Sequence, residues 1–593
     1  EVQYVNPFIG TGFHGHTFPG ATRPFALVQV SPDTHIMGWD ASSGYHYDDS
    51  QIYAFSHTHL SGTGIGDLGD VAILPFSGGD SIRPVATFKK ETEKATPGYY
   101  AVRLDNFGIN VELTSTDRVG FHKYTYDNPK DRRVLLDLGH VLQPNWGHKL
   151  VGNEYLFVND STVEGTIRTQ GWAHFHSVSY RITFSEPIET LYQYIDGNLR
   201  KDSLFLRINT PNDLKFHYKF AENNKPLYVK VAISPVDTDG AERNMLAELP
   251  GWDFDATRVE SAHIWNKALN DIQIESSDPK VMVNFYTALY HTMIAPYAYQ
   301  DVDGRYLGMD KKVHRAEPGY VNYSVFSLWD TFRALHPLMT IIQPERAADW
   351  GKVLVQGYKE GGILPKWPLA SSYTGCMVGY PAVSVLADLV TKELAEGDLN
   401  VWAEAGARSS VYRDDLAEKF KGTRELDLIT RHPYYKEKYG FVPADSVPES
   451  VSWGLEMAYY DWCISQIAAK AGNTELAKEY AAKAEYYKRY LDPETKMMRG
   501  VMGDGSFRTP FNPRYSSHMK SDYTEGNAFQ WSFFAPHDMD NFITTIGGKK
   551  ELETRLDTLF TTSSQVDGEE ASGDITGLIG QYAHGNEPSH HMA

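Results

Sequence analysis

The 593-residue sequence has only two cysteines, Cys376 and Cys463, far apart and both in apolar, helix-like segments. No disulfide framework is expected to hold the fold. There is no run of about 18 apolar residues and no basic-then-apolar leader, so no transmembrane helix is expected. Basic clusters are missing too: 56 Lys and Arg stand against 76 Asp and Glu, for a formal charge of −20. A polyphosphate backbone would be repelled, and nucleic acid is not an expected partner. Neither a fixed-period repeat nor a low-complexity segment is present.

What the chain has is length and aromatic content. Its size exceeds what one hydrophobic core supports, so two or more domains are expected. Aromatic residues make up 13% of the chain, with 12 Trp and 37 Tyr. They suit large mixed cores and the stacking of sugar rings equally well.

Over residues 1–250 the pattern is β. Ile109, Val111 and Leu113 alternate with polar residues, as do Leu227, Val229, Val231 and Ile233, and Arg133–Gly139 is a short apolar run of strand length. Many short strands with turn signals between them predict an antiparallel β-sandwich. Past residue 255 the period becomes helical: Ala347, Trp350, Leu354 and Tyr358 share one face, with Pro344 at the start and Gly361-Gly362 as a stop. Helices are predicted over 451–471, 474–490 and 549–561, with a linker helix over 256–272. The expected division is a sandwich over 1–250, a helical linker over 251–275 and an α-rich domain from 276 to 593.

Several stretches could carry chemistry. His14-Gly-His16 lies in a glycine-rich segment, and a second one runs from Ser56-His57-Thr-His59 to Gly66-Asp67. His-x-His could seat a metal, but with no nearby Cys or patterned carboxylate a hydrogen-bonded loop histidine is the more economical reading. Trp329-Asp330 opens a helix near Ser327: the acid could cap that helix, or the pair could hold a sugar by stacking and hydrogen bonding. Glu525 stands before an aromatic run containing Phe529 and Trp531, where desolvation would raise its pKa as a general acid requires. The macrodipole of the following helix could equally account for it. The last twenty residues start in a helix-like apolar pattern and end in Asn586-Glu587 and His590-His591. Those oxygen donors, with no thiol beside them, suit Ca²⁺ better than zinc.

Taken in order, Val5-Asn-Pro-Phe-Ile-Gly10, His57-Thr-His59-Leu-Ser-Gly-Thr-Gly64, Leu328-Trp-Asp-Thr-Phe-Arg333, Gly361-Gly-Ile-Leu-Pro-Lys-Trp367, Thr524-Glu-Gly-Asn527 and His584-Gly-Asn-Glu-Pro-Ser-His-His591 resemble the glycoside hydrolase family 92 α-mannosidases. These are calcium-dependent exo-enzymes of glycan-degrading Bacteroides-type bacteria. The resemblance spans the whole chain. It implies an N-terminal β-sandwich, a helical linker and a C-terminal (α/α)6 barrel, incomplete and continuing beyond residue 593. It implies single-step, inverting hydrolysis of terminal mannose from N-glycans or mannan, most often α-1,2-linked, outside the cytoplasm: in the periplasm, secreted or surface-attached.

By the same resemblance Glu525 is the general acid, and Asn586 and Glu587 are calcium ligands. Trp329, Asp330, Asn527, His584, His590 and His591 surround the mannose, and Glu569-Glu570 stand where a His-Glu pair contacts the leaving sugar. Trp39 or Trp172 could wall that subsite. The family's general base lies in a motif absent from this chain, and it is expected beyond Ala593. Two other readings fit less closely. An inverting phosphorylase would need no protein base, yet no clustered Arg/Lys site is present for its phosphate. A mannoside-binding protein that has lost catalysis would bind with calcium and hydrolyse nothing.

Overall fold

The computed structural model describes residues 1–79, 81–200 and 206–592. It separates into two compact units, Glu1–Val325 with Pro368–Ser372, and Phe326–Trp367 with Tyr373 onward. This division falls later than the change of period near residue 255. The helices Thr238–Glu248 and Phe254–Leu269 pack on strands of the first unit: Phe254, Met245 and Leu249 join Val119 and Phe121 in one buried cluster. The Trp265 indole N–H donates to the Thr22 carbonyl at 2.6 Å. Asp237 and Asp253 accept backbone N–H groups at the starts of these helices, satisfying donors that the first turn leaves unpaired.

The first unit holds two fully antiparallel sheets. One has seven strands, with Arg132–Asp137 between Ala72–Phe76 and Leu214–Phe220. The other has nine, with Leu227–Ser234 between His176–Phe184 and Val119–Tyr126. Ile109, Val111 and Leu113 are buried as their alternation predicts. Tyr155 of the nine-stranded sheet stacks on Phe216 of the other at 3.9 Å, and Phe184 meets Tyr218 at 5.1 Å. The two sheets thus form the expected sandwich.

The Ser56–Leu60 stretch of this unit is interior. Asp33 accepts from His59 at 2.8 Å and from His140 at 2.7 Å, and Asp70 accepts from His176 at 2.7 Å and Thr58 at 2.7 Å. His57 faces His122 at 2.8 Å while its other nitrogen donates to the Val71 carbonyl. Each buried acid is matched by imidazole or hydroxyl donors, as burial of charge requires.

In the second unit the helix Ser450–Lys470 is buried on nearly every side, the mark of a central helix. Ala382–Thr391, Leu399–Ser409 and Thr474–Ala484 flank it. Gly454 lets a neighbour close in: a Cβ there would lie 1.9 Å from the Tyr490 hydroxyl, which accepts the Val442 N–H at 2.7 Å. The predicted helices are found at Pro344–Gly361, Ser450–Lys470 and Lys549–Thr561. That predicted over 474–490 is α-helical to Ala484 and tightens to 3-10 over Glu485–Tyr490.

The chain end differs from its helix-like pattern. Leu578–Ile579 pairs with Tyr582–Ala583 in a short hairpin whose turn holds Gly580 at φ +61°, a conformation glycine adopts without cost. No described helix is long and apolar enough to cross a membrane.

Candidate active site

Two loops of the helical unit are fastened together by amides. Asn527 caps the short helix Ala528–Trp531 in a capping box: its side chain accepts the Phe529 N–H, and the Gln530 side chain accepts the Asn527 N–H at 2.7 Å. Asn527 Nδ2 then donates to Gln581 Oε1 at 2.9 Å, and Gln530 Nε2 donates to the Gln581 carbonyl at 2.5 Å. Gln581 Nε2 continues to the carbonyls of Ser563 and Gln565. This joins the stretch before the aromatic helix to the hairpin that leads into Asn586-Glu587. Asn586 Nδ2 closes the connection, donating to the Glu525 carbonyl at 2.9 Å and to Glu525 Oε2 at 3.3 Å.

Around this joint lie four carboxylates, Asp330, Glu525, Asp574 and Glu587. The Glu525 carboxyl is held well above the usual carboxylate range, first by burial and then by the charges of Asp574, Asp330 and Glu587. Asp330 and Glu587 are both raised, chiefly by burial, and Asp330 also by the charge of Glu587, since neighbouring like charges disfavour ionisation. Ser327 also donates its hydroxyl to Asp330. Glu525 has backbone φ +44°, a left-handed conformation uncommon away from glycine, of the kind that gathers at functional sites.

Such a set of oxygens suits a hard divalent cation. Asp330 and Glu587 supply carboxylates, and the Asn586 Oδ1 makes no hydrogen bond among the described residues while its amide nitrogen is committed to Glu525. Hard oxygen donors without sulfur are what Ca²⁺ takes. The described residues also hold a nitrogen-containing group able to bind a metal ion, in the first unit.

The other expected residues fall in three places. Trp329 and Asn527 are fully buried. Trp329 donates its indole N–H to Glu456 at 2.8 Å, and the Asn527 side chain is spent on its helix cap and on Gln581. The polar atoms of both are hydrogen-bonded within the protein. His590 and His591 line a cavity of ≈ 210 Å³ together with Arg333, His336 and Phe534, and the His591 ring is driven down to about 3 by burial. His584 is exposed, its ring 3.1 Å from the Tyr582 hydroxyl. Glu569 and Glu570 are exposed, and Glu570 pairs with Lys520. Among the described residues neither enters the carboxylate cluster.

Glu456 and Arg333 were missed as functional candidates. Glu456 lies in the central helix, where burial pushes its carboxyl up to about 7 against the lowering effect of Arg333. It accepts from Trp329, from Arg333 at 2.8 Å and from Tyr460 at 2.8 Å. Arg333 lies over the Trp329 ring at 4.7 Å, and its Nη1 has no hydrogen-bond partner among the described residues. The signal was an acid inside a helix otherwise rich in apolar residues, a costly placement unless it is used.

A helical unit with a carboxyl held well above the usual range among other acids has equipment that suits a glycoside hydrolase. Residues 240–593 match the glycosyl hydrolase family 92 catalytic domain and residues 4–234 its N-terminal domain. The chain belongs to glycosyl hydrolase family 92 and is a glycoside hydrolase. It is similar to a family GH92 α-mannosidase of Bacteroides thetaiotaomicron solved in complex with mannoimidazole, with 36% identity and a TM-score of 0.91 over 100% of this chain and 77% of that one. A family GH92 inverting mannosidase of Bacteroides thetaiotaomicron VPI-5482 is 26% identical, with a TM-score of 0.85 over 100% of this chain and 79% of its own. An uncharacterized secreted glycosidase of Arthroderma benhamiae is 24% identical over 96% of this chain and 75% of its own.

Proposed function

We propose that the chain is an exo-acting α-mannosidase that removes terminal mannose, most often α-1,2-linked, from N-glycans or mannan outside the cytoplasm, with inversion at the anomeric carbon. The observation that carries this reading is the Glu525 carboxyl, held well above the usual carboxylate range by burial and by three neighbouring acids. A carboxyl raised in this way is suited to deliver a proton to the departing glycosidic oxygen. The similar α-mannosidase and inverting mannosidase support the choice of sugar and stereochemistry.

Asn586 and Glu587 would hold a calcium ion, with Asp330 beside them. When bound, the cation supplies a template for vicinal sugar hydroxyls and helps flatten the ring toward the oxocarbenium-like transition state. The chain's own residues supply and position the acid. Asn586 orients Glu525 through its paired contacts with the acid's carbonyl and carboxylate. Glu456 fixes Trp329 and Arg333, and Arg333 offers an unpaired N–H to the cavity it lines with His590 and His591.

The test is Glu525→Gln, assayed on an α-1,2-mannobiose and on an aryl mannoside, with the first-formed mannose anomer followed by proton NMR. Loss on the disaccharide with a smaller loss on the aryl substrate is expected, because an aryl leaving group needs less protonation. Unchanged disaccharide turnover would remove Glu525 from the role of acid, and α-mannose as first product would remove inversion.

A further inference from the structure

We propose that His14, His16 and Asp40 form a binding site for one zinc-class divalent cation in the strand-rich unit, distinct in chemistry from the all-oxygen set at Asp330 and Glu587. One ligand atom from each of the three lies within 4.8 Å of the others. Asp40 Oδ1 is the common point, 2.7 Å from His14 Nδ1 and 3.4 Å from His16 Nε2. Bonds of about 2.0–2.2 Å in a tetrahedral shell put neighbouring donors roughly 3.3 Å apart. The His16 spacing already meets that, and His14 needs to open by about half an ångström. Two imidazoles and one carboxylate, with positions left for water, make a donor set for zinc-class ions and a poor one for calcium.

The hydrogen bonding of His16 points independently to a cation. Its Nδ1 lies 2.9 Å from the Thr63 carbonyl, which can only accept, so the ring proton is on Nδ1. The Nε2 lone pair then faces a carboxylate oxygen, an arrangement that needs either a second proton or a metal ion between the two. A ligand histidine oriented by a backbone carbonyl through its other nitrogen is the usual outer-shell arrangement of a metal site.

The backbone holds these residues in place. Gly15 passes so close to Gly10 that a Cβ would lie 2.0 Å from its carbonyl oxygen. His16 sits at φ +54°, and its carbonyl accepts the Gly62 N–H at 2.7 Å. The site is open on one side: the His14 and Asp40 side chains are 39% and 36% exposed, against 4% for His16. A cation can therefore enter without unfolding anything.

Trp39 supplies a built-in reporter, its ring 4.7 Å from His14 and 4.9 Å from His16. The experiment uses tag-free, chelator-stripped full-length protein titrated with Zn²⁺ by calorimetry and with Co²⁺ by visible absorption and Trp fluorescence. One equivalent of Zn²⁺, Co²⁺ bands of low coordination number and quenching that disappears in Trp39→Phe are expected. Asp40→Asn and His14→Ala, both at half-exposed positions, should each weaken binding at least ~10-fold, while Glu587→Gln leaves it unchanged. Equal zinc affinity in wild type and Asp40→Asn, or loss of zinc binding in Glu587→Gln, would overturn the proposal. So would the absence of any heat, which would mean that a proton alone bridges His16 and Asp40.

Discussion

Both units bury acids, and one group in each is treated in the opposite way. In the strand-rich unit Asp33 lies between His59 and His140, and it is held far below the usual carboxylate range: burial alone would raise it, but the two imidazoles outweigh that cost. In the helical unit Asp330, Glu525 and Glu587 lie among one another, and all three are raised. Burial is common to both, so the neighbours decide the sign. Asp33, paired with imidazoles, is held low and serves as architecture, whereas Glu525, set mainly among other acids, is held high and is available for chemistry.

Removing the charge at each place should break this symmetry. The largest effect is expected from Glu525→Gln, a fall of about 10²–10⁴-fold in kcat on an unactivated disaccharide, with thermal stability little changed because a neutral amide replaces a carboxyl whose ionised form is disfavoured there. Asp33→Asn should do the reverse, costing the strand-rich unit about 3–5 kcal/mol because it leaves two buried histidines without their counter-charge. Urea unfolding followed by tryptophan fluorescence measures that cost. A stable Asp33→Asn variant, or an unstable Glu525→Gln, would refute the distinction.

Stability against pH separates the two environments by sign. Burial drives His57 down to about 3, below the roughly 6.5 of an unfolded histidine. Its contribution is complete above that value and is lost as pH falls toward 3, since the unfolded chain takes up the proton first. Glu456 is pushed up from 4.5 to about 7. Its contribution is complete below 4.5 and is lost as pH rises through 7, by an amount on the order of 3 kcal/mol. Glu456→Gln should flatten the alkaline limb and leave the acid limb untouched, which pH-dependent melting would show.

The smallest effect concerns the cation. Adding Ca²⁺ at about 100 times its dissociation constant should stabilise the wild type by ~2.7 kcal/mol, and Glu587→Gln should abolish that gain. A melting temperature indifferent to both Ca²⁺ and EDTA would argue against calcium at this cluster.

Much of this was legible in the sequence wherever the signal is local. Alternation at Ile109, Val111 and Leu113, the 3.6 period through Trp350 and Leu354, and the switch from one to the other define the two kinds of unit. The Glu525 and Asn586-Glu587 stretches stood out as polar groups set among aromatics and glycines. What was not legible depends on contacts distant in sequence. Glu456 looked like one polar residue in an apolar helix until Trp329 and Arg333, more than a hundred positions earlier, were found on it. Trp329 suggested a stacking platform, yet its indole nitrogen has a buried partner, and Asp40 joins His14 and His16 only through the fold. The tail misled because Gly577, Gly580 and the residues between them read equally as a weak helix or a tight hairpin, and the left-handed glycines decide for the hairpin.

The Asn527–Gln530–Gln581 joint has a consequence for how the enzyme tolerates its surroundings. Every link in it is an amide, and amides neither gain nor lose protons across the range in which the nearby carboxyls titrate. Charge changes at the acid and at the Asn586-Glu587 loop therefore leave the hydrogen bonds of this joint intact, and it ties the two together as an uncharged pin.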